Sequence, residues 1–162
     1  MVNQMDAKAL QAEVQDLREH PEQCRIDRTL VAEWVGGTRS RVAASGRELF
    51  VGGEGDFGAM SVALASFLAC EVDVIATHAT LHGSELERLS IEGHGRFDIG
   101  RYMGAAKEPS SGFQGIAYTV KIKAKNVTPE QVKDLVHLCE THSPVGDSLA
   151  RAVPLELKLE IE

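Results

Sequence analysis

The chain has 162 residues, enough for one domain with a sizeable core, and its 43% hydrophobic and 25% charged residues are ordinary globular composition. A net charge of −7 argues against a nucleic-acid partner, since a phosphate backbone needs clustered cations, and no basic run or basic amphipathic face offers a hold on a membrane surface. Cys24, Cys70 and Cys139 are odd in number and form no C-x-x-C pair, which predicts free thiols and a cytoplasmic location.

The N-terminal segment Asn3 to His20 reads as a helix. Ala7, Leu10, Val14 and Leu17 make one narrow apolar stripe, and Pro21 ends it. Asp6, Glu13, Asp16 and Glu19 interrupt the segment and it has no apolar h-region, so no secretory leader is expected. Residues 1–22 are predicted to be a helical extension, and residues 23–162 the main domain.

From Arg25 to Gly53 the period changes to two. Ile26, Arg28, Leu30, Ala32 and Trp34 alternate with Asp27, Thr29, Val31 and Glu33. Gly36-Gly37 turns the chain, Thr38 to Ala44 returns, Ser45-Gly46 turns again, and Arg47 to Val51 follows. Short turns of this kind predict an antiparallel meander. The loop Gly52-Gly53-Glu54-Gly55-Asp56 is acidic and holds no Lys, so it reads as a hinge and not as a phosphate cradle.

A long helix is predicted from about Gly58 to Leu81. Its length would be roughly 36 Å at 1.5 Å per residue, against a radius of gyration of about 15 Å for a domain of this size. The first three turns are apolar all round, so every side needs cover. One sheet covers one side, and a second copy of the chain is the simplest cover for the other. Glu71 and Asp73 break the run, which argues against a membrane span.

Two further strands are read around Leu89 to Ile99 and Ile116 to Lys123, with a loop from Gly100 to Gly112 between them. Thr128-Pro129-Glu130-Gln131 is a capping box with proline in the first helical position. The helix it opens carries Val132, Leu135, Val136 and Cys139 on one face. Ser143-Pro144 starts a short helix, and Leu155, Leu157, Leu159 and Ile161 alternate with Glu156, Lys158, Glu160 and Glu162 in an expected final strand. Strands cluster and then helices, so the class is α+β.

Cys70, in the middle of the long helix, is either a buried core thiol or a reactive one. Reactivity requires the thiolate, and Glu71 and Asp73 would oppose that anion if they lay close. Arg39 and Arg41, two apart on a strand and so on one face, are the candidate cations. Cys139 lies on an apolar helical face, where core packing is its ordinary role. Ser143 is placed to cap the helix that begins at Pro144. His78 and His82 sit at i and i+4, and His137, Cys139 and His142 form a second loose group. Neither makes a complete metal site by spacing, and no cofactor is expected.

Several of these segments together resemble the OsmC/Ohr family of osmotically induced and organic hydroperoxide resistance proteins. They are Trp34-Val35-Gly36-Gly37-Thr38-Arg39, the loop Gly52 to Gly58, the helix Leu64 to Cys70, Gly112-Phe113, and Ser143-Pro144-Val145-Gly146-Asp147-Ser148-Leu149 before Val153-Pro154. The resemblance covers about Arg25 to Glu162. It implies an intertwined homodimer with antiparallel sheets around a long central helix, and a site at the subunit interface. It also implies peroxide reduction by two cysteines without a metal, Cys70 attacking the peroxide and a second cysteine resolving the sulfenic acid. That second position is Ser143 here, and Cys139 is a weak substitute for it. The family's glutamate that holds the catalytic arginine aligns with Met60. Two functions follow as expectations: a thiol peroxidase working through Cys70 with an external thiol reductant, or a binding module that keeps the fold without turnover.

Overall fold

The computed structural model describes residues 1–161. Helix α1 (Ala7–Glu19) opens on Asp6, whose carboxylate accepts from the backbone N–H groups of Lys8 and Ala9 and so satisfies two of the free donors of the first turn. None of its residues is buried. A 3₁₀ turn at Pro21–Cys24 follows. Ahead of α1, Asn3 ties the N-terminus to residues 80–86. Its amide donates to Thr80 Oγ1 and to the Ser84 carbonyl, at 3.1 and 2.9 Å, and its Oδ1 accepts from the Leu86 N–H at 2.8 Å.

Strands β1 (Val31–Gly36), β2 (Arg39–Ala44) and β3 (Arg47–Val51) form an antiparallel sheet in chain order. The meander expected from the glycine turns is present, but Arg25 to Leu30 lies outside it. This sheet makes no extensive contact with any helix or with the other strands. Every residue of β1 from Val31 to Val35 is exposed.

Helix α2 (Ala59–Leu81) is the axis of the remainder. By length and apolarity alone it could cross a membrane. Its contacts with a second sheet and three helices, and the complete burial of Glu71, make it a core helix instead. That second sheet is the long antiparallel hairpin of β4 (Glu85–Phe97) and β5 (Phe113–Lys125). Helix α3 (Pro129–His142) starts on the capping box read from the sequence, with Thr128 and Gln131 bonded reciprocally. Helix α4 (Pro144–Ala150) completes the order. Val74, Ile75 and Ala79 of α2 meet Leu135 and Cys139 of α3, and Leu89, Ile91, Val120 and Ile122 of the hairpin close over them.

One predicted element is absent. The alternating segment Leu155 to Ile161 forms no strand, and Leu155, Leu157, Leu159 and Ile161 are all exposed. The physical reason is that a strand needs a hydrogen-bonding partner, and the single chain brings no sheet edge to this segment. Glu162 lies outside the described residues. The sheets also do not both surround α2: only β4–β5 packs on it within one chain.

Candidate functional site

Cys70 projects from the middle of α2 and is partly exposed. Opposite it stands Ser143, at the junction of α3 and α4. The sequence places a serine there because two helices meet with proline next in line, and the serine oxygen caps the second helix by accepting from the Gly146 N–H at 3.0 Å. The same hydroxyl donates its own proton to Cys70 Sγ at 3.3 Å. Ser143 is buried, so its O–H is held in this orientation by both contacts. Residues 73 positions apart are thus brought into contact across the α2–α4 packing.

Cys139 faces elsewhere. Its Sγ lies 3.7 Å from the backbone carbonyl of Glu71 and it is almost fully buried. Burial pushes the thiol up to about 12, with the hydrogen bond and charge of Glu71 adding to the shift. At neutral pH it is therefore a neutral thiol, a poor nucleophile for a sulfenic acid.

The arginines are not at the sulfur within one chain. Arg39 donates from Nε to Asp56 Oδ2 at 2.6 Å, and its guanidinium carbon sits 4.1 Å above the ring of Phe50. Gly53, at φ +83°, leaves room for this side chain, since a Cβ there would come within 3.2 Å of it and the backbone conformation suits glycine. Arg41 is held by Glu33 and Glu48 on the neighbouring strands, all three side chains being well exposed. A carboxylate partner for Arg39 thus comes from the loop before α2, not from the helical position of Met60. Sequence reasoning, which takes Asp56 only as part of a hinge, misses it; the signal is an acid placed just ahead of the helix.

The histidines regroup as well. His78 packs edge to face on His142 with ring centroids 5.1 Å apart, while His137 pairs with Glu140 at 2.8 Å. Burial, followed by the neighbouring His142 and His82, holds His78 below the ordinary histidine range. Among the described residues no group of three or more His, Cys, Asp or Glu side chains is arranged to hold a metal ion.

A second carboxyl went unweighted in the sequence except as a charge opposing the thiolate. Asp73 is exposed, but Glu71, next to Cys70, is 1% exposed, and its Oε2 has no hydrogen-bond partner. Its Oε1 lies 3.2 Å from the point where a Cβ on Gly146 would stand, and Ser143 Oγ lies 2.9 Å from that same point.

Comparison with known proteins bears on this geometry. A family model described as OsmC-like protein matches residues 52–158, more than half of the chain. None of the curated proteins matches the sequence. Among solved structures, an OsmC-like protein from Mycoplasma pneumoniae superposes with a TM-score of 0.65 at 14% identity, covering 77% of this chain and 88% of its own. An OsmC-like protein of unknown function from Vibrio cholerae gives 0.59 at 10% identity, with 76% and 94% covered. A Legionella pneumophila protein described as an organic hydroperoxide resistance protein OsmC gives 0.54 at 18% identity, with 77% and 91% covered.

Proposed function

Because the chain belongs to the OsmC-like protein family, we propose that it is a cytoplasmic stress-response thiol peroxidase that reduces organic or hydrogen peroxides through Cys70 as its single peroxidatic cysteine. The observation that carries this reading is the Ser143 hydroxyl donating to a half-buried Cys70 sulfur at 3.3 Å. A core thiol needs no such partner. A nucleophilic thiolate gains from one.

The thiolate attacks the terminal peroxide oxygen. The S–O bond forms, the O–O bond breaks, and the remaining oxygen leaves with the electron pair and is protonated to the alcohol or to water. Cys70 becomes a sulfenic acid. Ser143 cannot form a disulfide and Cys139 stays a neutral thiol, so reduction falls to an external thiol. One such thiol forms a mixed disulfide with release of water, and a second restores Cys70.

The working unit in this reading is a homodimer. Trp34 and Phe57, 77% and 73% exposed, border a sheet with no core of its own, and the C-terminal apolar residues have no strand to pair with. A second copy supplies both needs and carries the Arg39–Asp56 pair toward the thiol, where the guanidinium stabilises the thiolate and orients the peroxide. Peroxide consumption with a small-thiol or lipoyl reductant tests the reading. Turnover that is lost in Cys70→Ser supports it. No consumption beyond the rate of free thiol makes the protein a binding module that keeps the fold.

A further inference from the structure

Two histidines stand where α2 and α3 end. His78 lies in the last turn of α2 and His142 in the last turn of α3. Their rings meet edge to face, with centroids 5.1 Å apart and planes at 78°. Thr141 Oγ1, 2.8 Å from Nδ1 of His142, holds that ring in place. His78 is half-buried and His142 is exposed. The ionisable groups that act on His78 are His142 from α3 and His82 from its own helix, both positive when protonated. Neither α1 nor β4, which also pack on α2, supplies a charge that acts on it. On α4 the charges are Asp147 and Arg151, and these pair with each other. Among the described residues, the carboxylates paired with histidine serve His20 and His137 instead. Two neutral imidazoles keep this contact. Two imidazoliums cannot, because like charges this close and partly out of water repel. The negative end of α3 favours the first proton on the exposed His142, so the second falls on His78.

What the pair controls is next in the chain. Ser143 is the one non-helical residue between α3 and α4, with an extended backbone. It caps α4 through the Gly146 N–H and touches Cys70 Sγ at 3.3 Å. Upstream, Leu135 and Cys139 anchor α3 in the core. The last turn of α3 is therefore the part that can swing, and Ser143 swings with it.

We propose that His78 and His142 form a proton-operated latch on the thiol site: with at most one ring charged the latch is closed and Ser143 is held against Cys70, and a second proton parts the rings and withdraws the Ser143 hydroxyl from the sulfur. Acidification is thereby passed from the ends of two helices to the surroundings of the thiol. The latch stands whether or not Cys70 turns over peroxide, because it acts on a contact between side chains and not on a reaction.

The test is hydrogen exchange of the full-length protein at about pH 7.5 and about pH 5, on either side of the ordinary histidine range. Rates are read by mass spectrometry and corrected for the intrinsic effect of pH on exchange. The reporters are the Ser143 N–H, which donates to the Cys139 carbonyl, and the Gly146 N–H, which donates to Ser143 Oγ. The β4–β5 hairpin is the reference for global opening. In the wild type, protection of the two reporters falls with acid, approaching about tenfold per pH unit, the limit for an opening that takes up one proton. The hairpin loses less. In His142→Gln and in His78→Gln a doubly charged pair cannot form, so both reporters keep their protection at the lower pH. His142 is exposed, so His142→Gln carries the test should His78→Gln fail to fold by circular dichroism. Equal reporter protection at the two pH values in the wild type overturns the proposal. So does a parallel loss at the reporters and the hairpin, which is global destabilisation and not a latch. An acid-induced loss that persists unchanged in His142→Gln overturns it as well. None of these results bears on the peroxidase reading, which Cys70 oxidation rates decide.

Discussion

The two sheets of this molecule have different physical status. The hairpin β4–β5 lies on α2 and buries a continuous apolar cluster with α3, so it is stable by its own contacts. The sheet β1–β3 is hydrogen-bonded along its length but packs on no layer, and its large side chains, Trp34 above all, face outward. The thiol, its serine partner and the buried carboxyl belong to the first region, and the arginines belong to the second. The proposed peroxidase needs the second region brought over the first, and within one chain it is not. A half-built layer next to a fully built one points to a partner more directly than any single exposed residue does, because scattered exposed apolar residues are ordinary on a monomer.

The largest expected effect tests the built region. Phe67 is 7% exposed and packs edge to face on Tyr118 at 5.1 Å. Burying its ring contributes roughly 1.5–3 kcal/mol, and a carboxylate in its place adds a desolvation cost of similar or greater size. Phe67→Asp therefore unfolds or dissociates the protein, as read by circular dichroism and light scattering. A well-folded wild-type monomer at micromolar concentration would break the comparison itself, since the second region would then stand uncovered.

The next effect concerns the junction between α3 and α4. Ser143→Cys puts a sulfur where a hydroxyl already touches Cys70 Sγ, and oxidation should join residues 70 and 143 in a disulfide detectable as a linked peptide. In the wild-type protein the corresponding Cys70–Cys139 peptide should stay scarce after peroxide, because Cys139 is a buried neutral thiol turned toward the Glu71 carbonyl. Abundant linkage between residues 70 and 139 would contradict the placement of both thiols.

The smallest effect is on stability against pH. His78 is held below its ordinary range by burial and by His142 and His82. The unfolded chain therefore binds this proton at higher pH than the folded one. Stability falls as pH drops through about 6.5 and continues to fall until the folded group also titrates. Denaturant midpoints across this window should show the slope, and His78→Gln should reduce it.

Much of the built region is legible in the sequence. The apolar run bounds α2 to within a residue, and the Thr128–Gln131 pattern marks the start of α3 because capping is a local transaction between neighbouring groups. The Ser143-Pro144 junction is local for the same reason. What sequence reading misses depends on partners far along the chain or outside it. The C-terminal alternation has the period of a strand but no edge to pair with in one chain. The Asp56–Arg39 pair joins residues 17 apart through a glycine-shaped loop that composition marks only as a turn. Glu71 was visible as a charge inside an apolar run, but its burial and its free oxygen emerge only when α3 and α4 close over it.

The central claim is that Cys70 is a peroxide-reactive thiol served by a guanidinium from β2. Second-order rates of dimedone-trapped oxidation of Cys70 by cumene hydroperoxide, in wild type, Cys70→Ser and the double variant Arg39→Ala/Arg41→Ala, test it most directly. The account predicts rapid labelling of Cys70 in the wild type, none at that position in Cys70→Ser, and clearly slower labelling when both arginines are removed. A wild-type Cys70 that reacts no faster than free cysteine would contradict it.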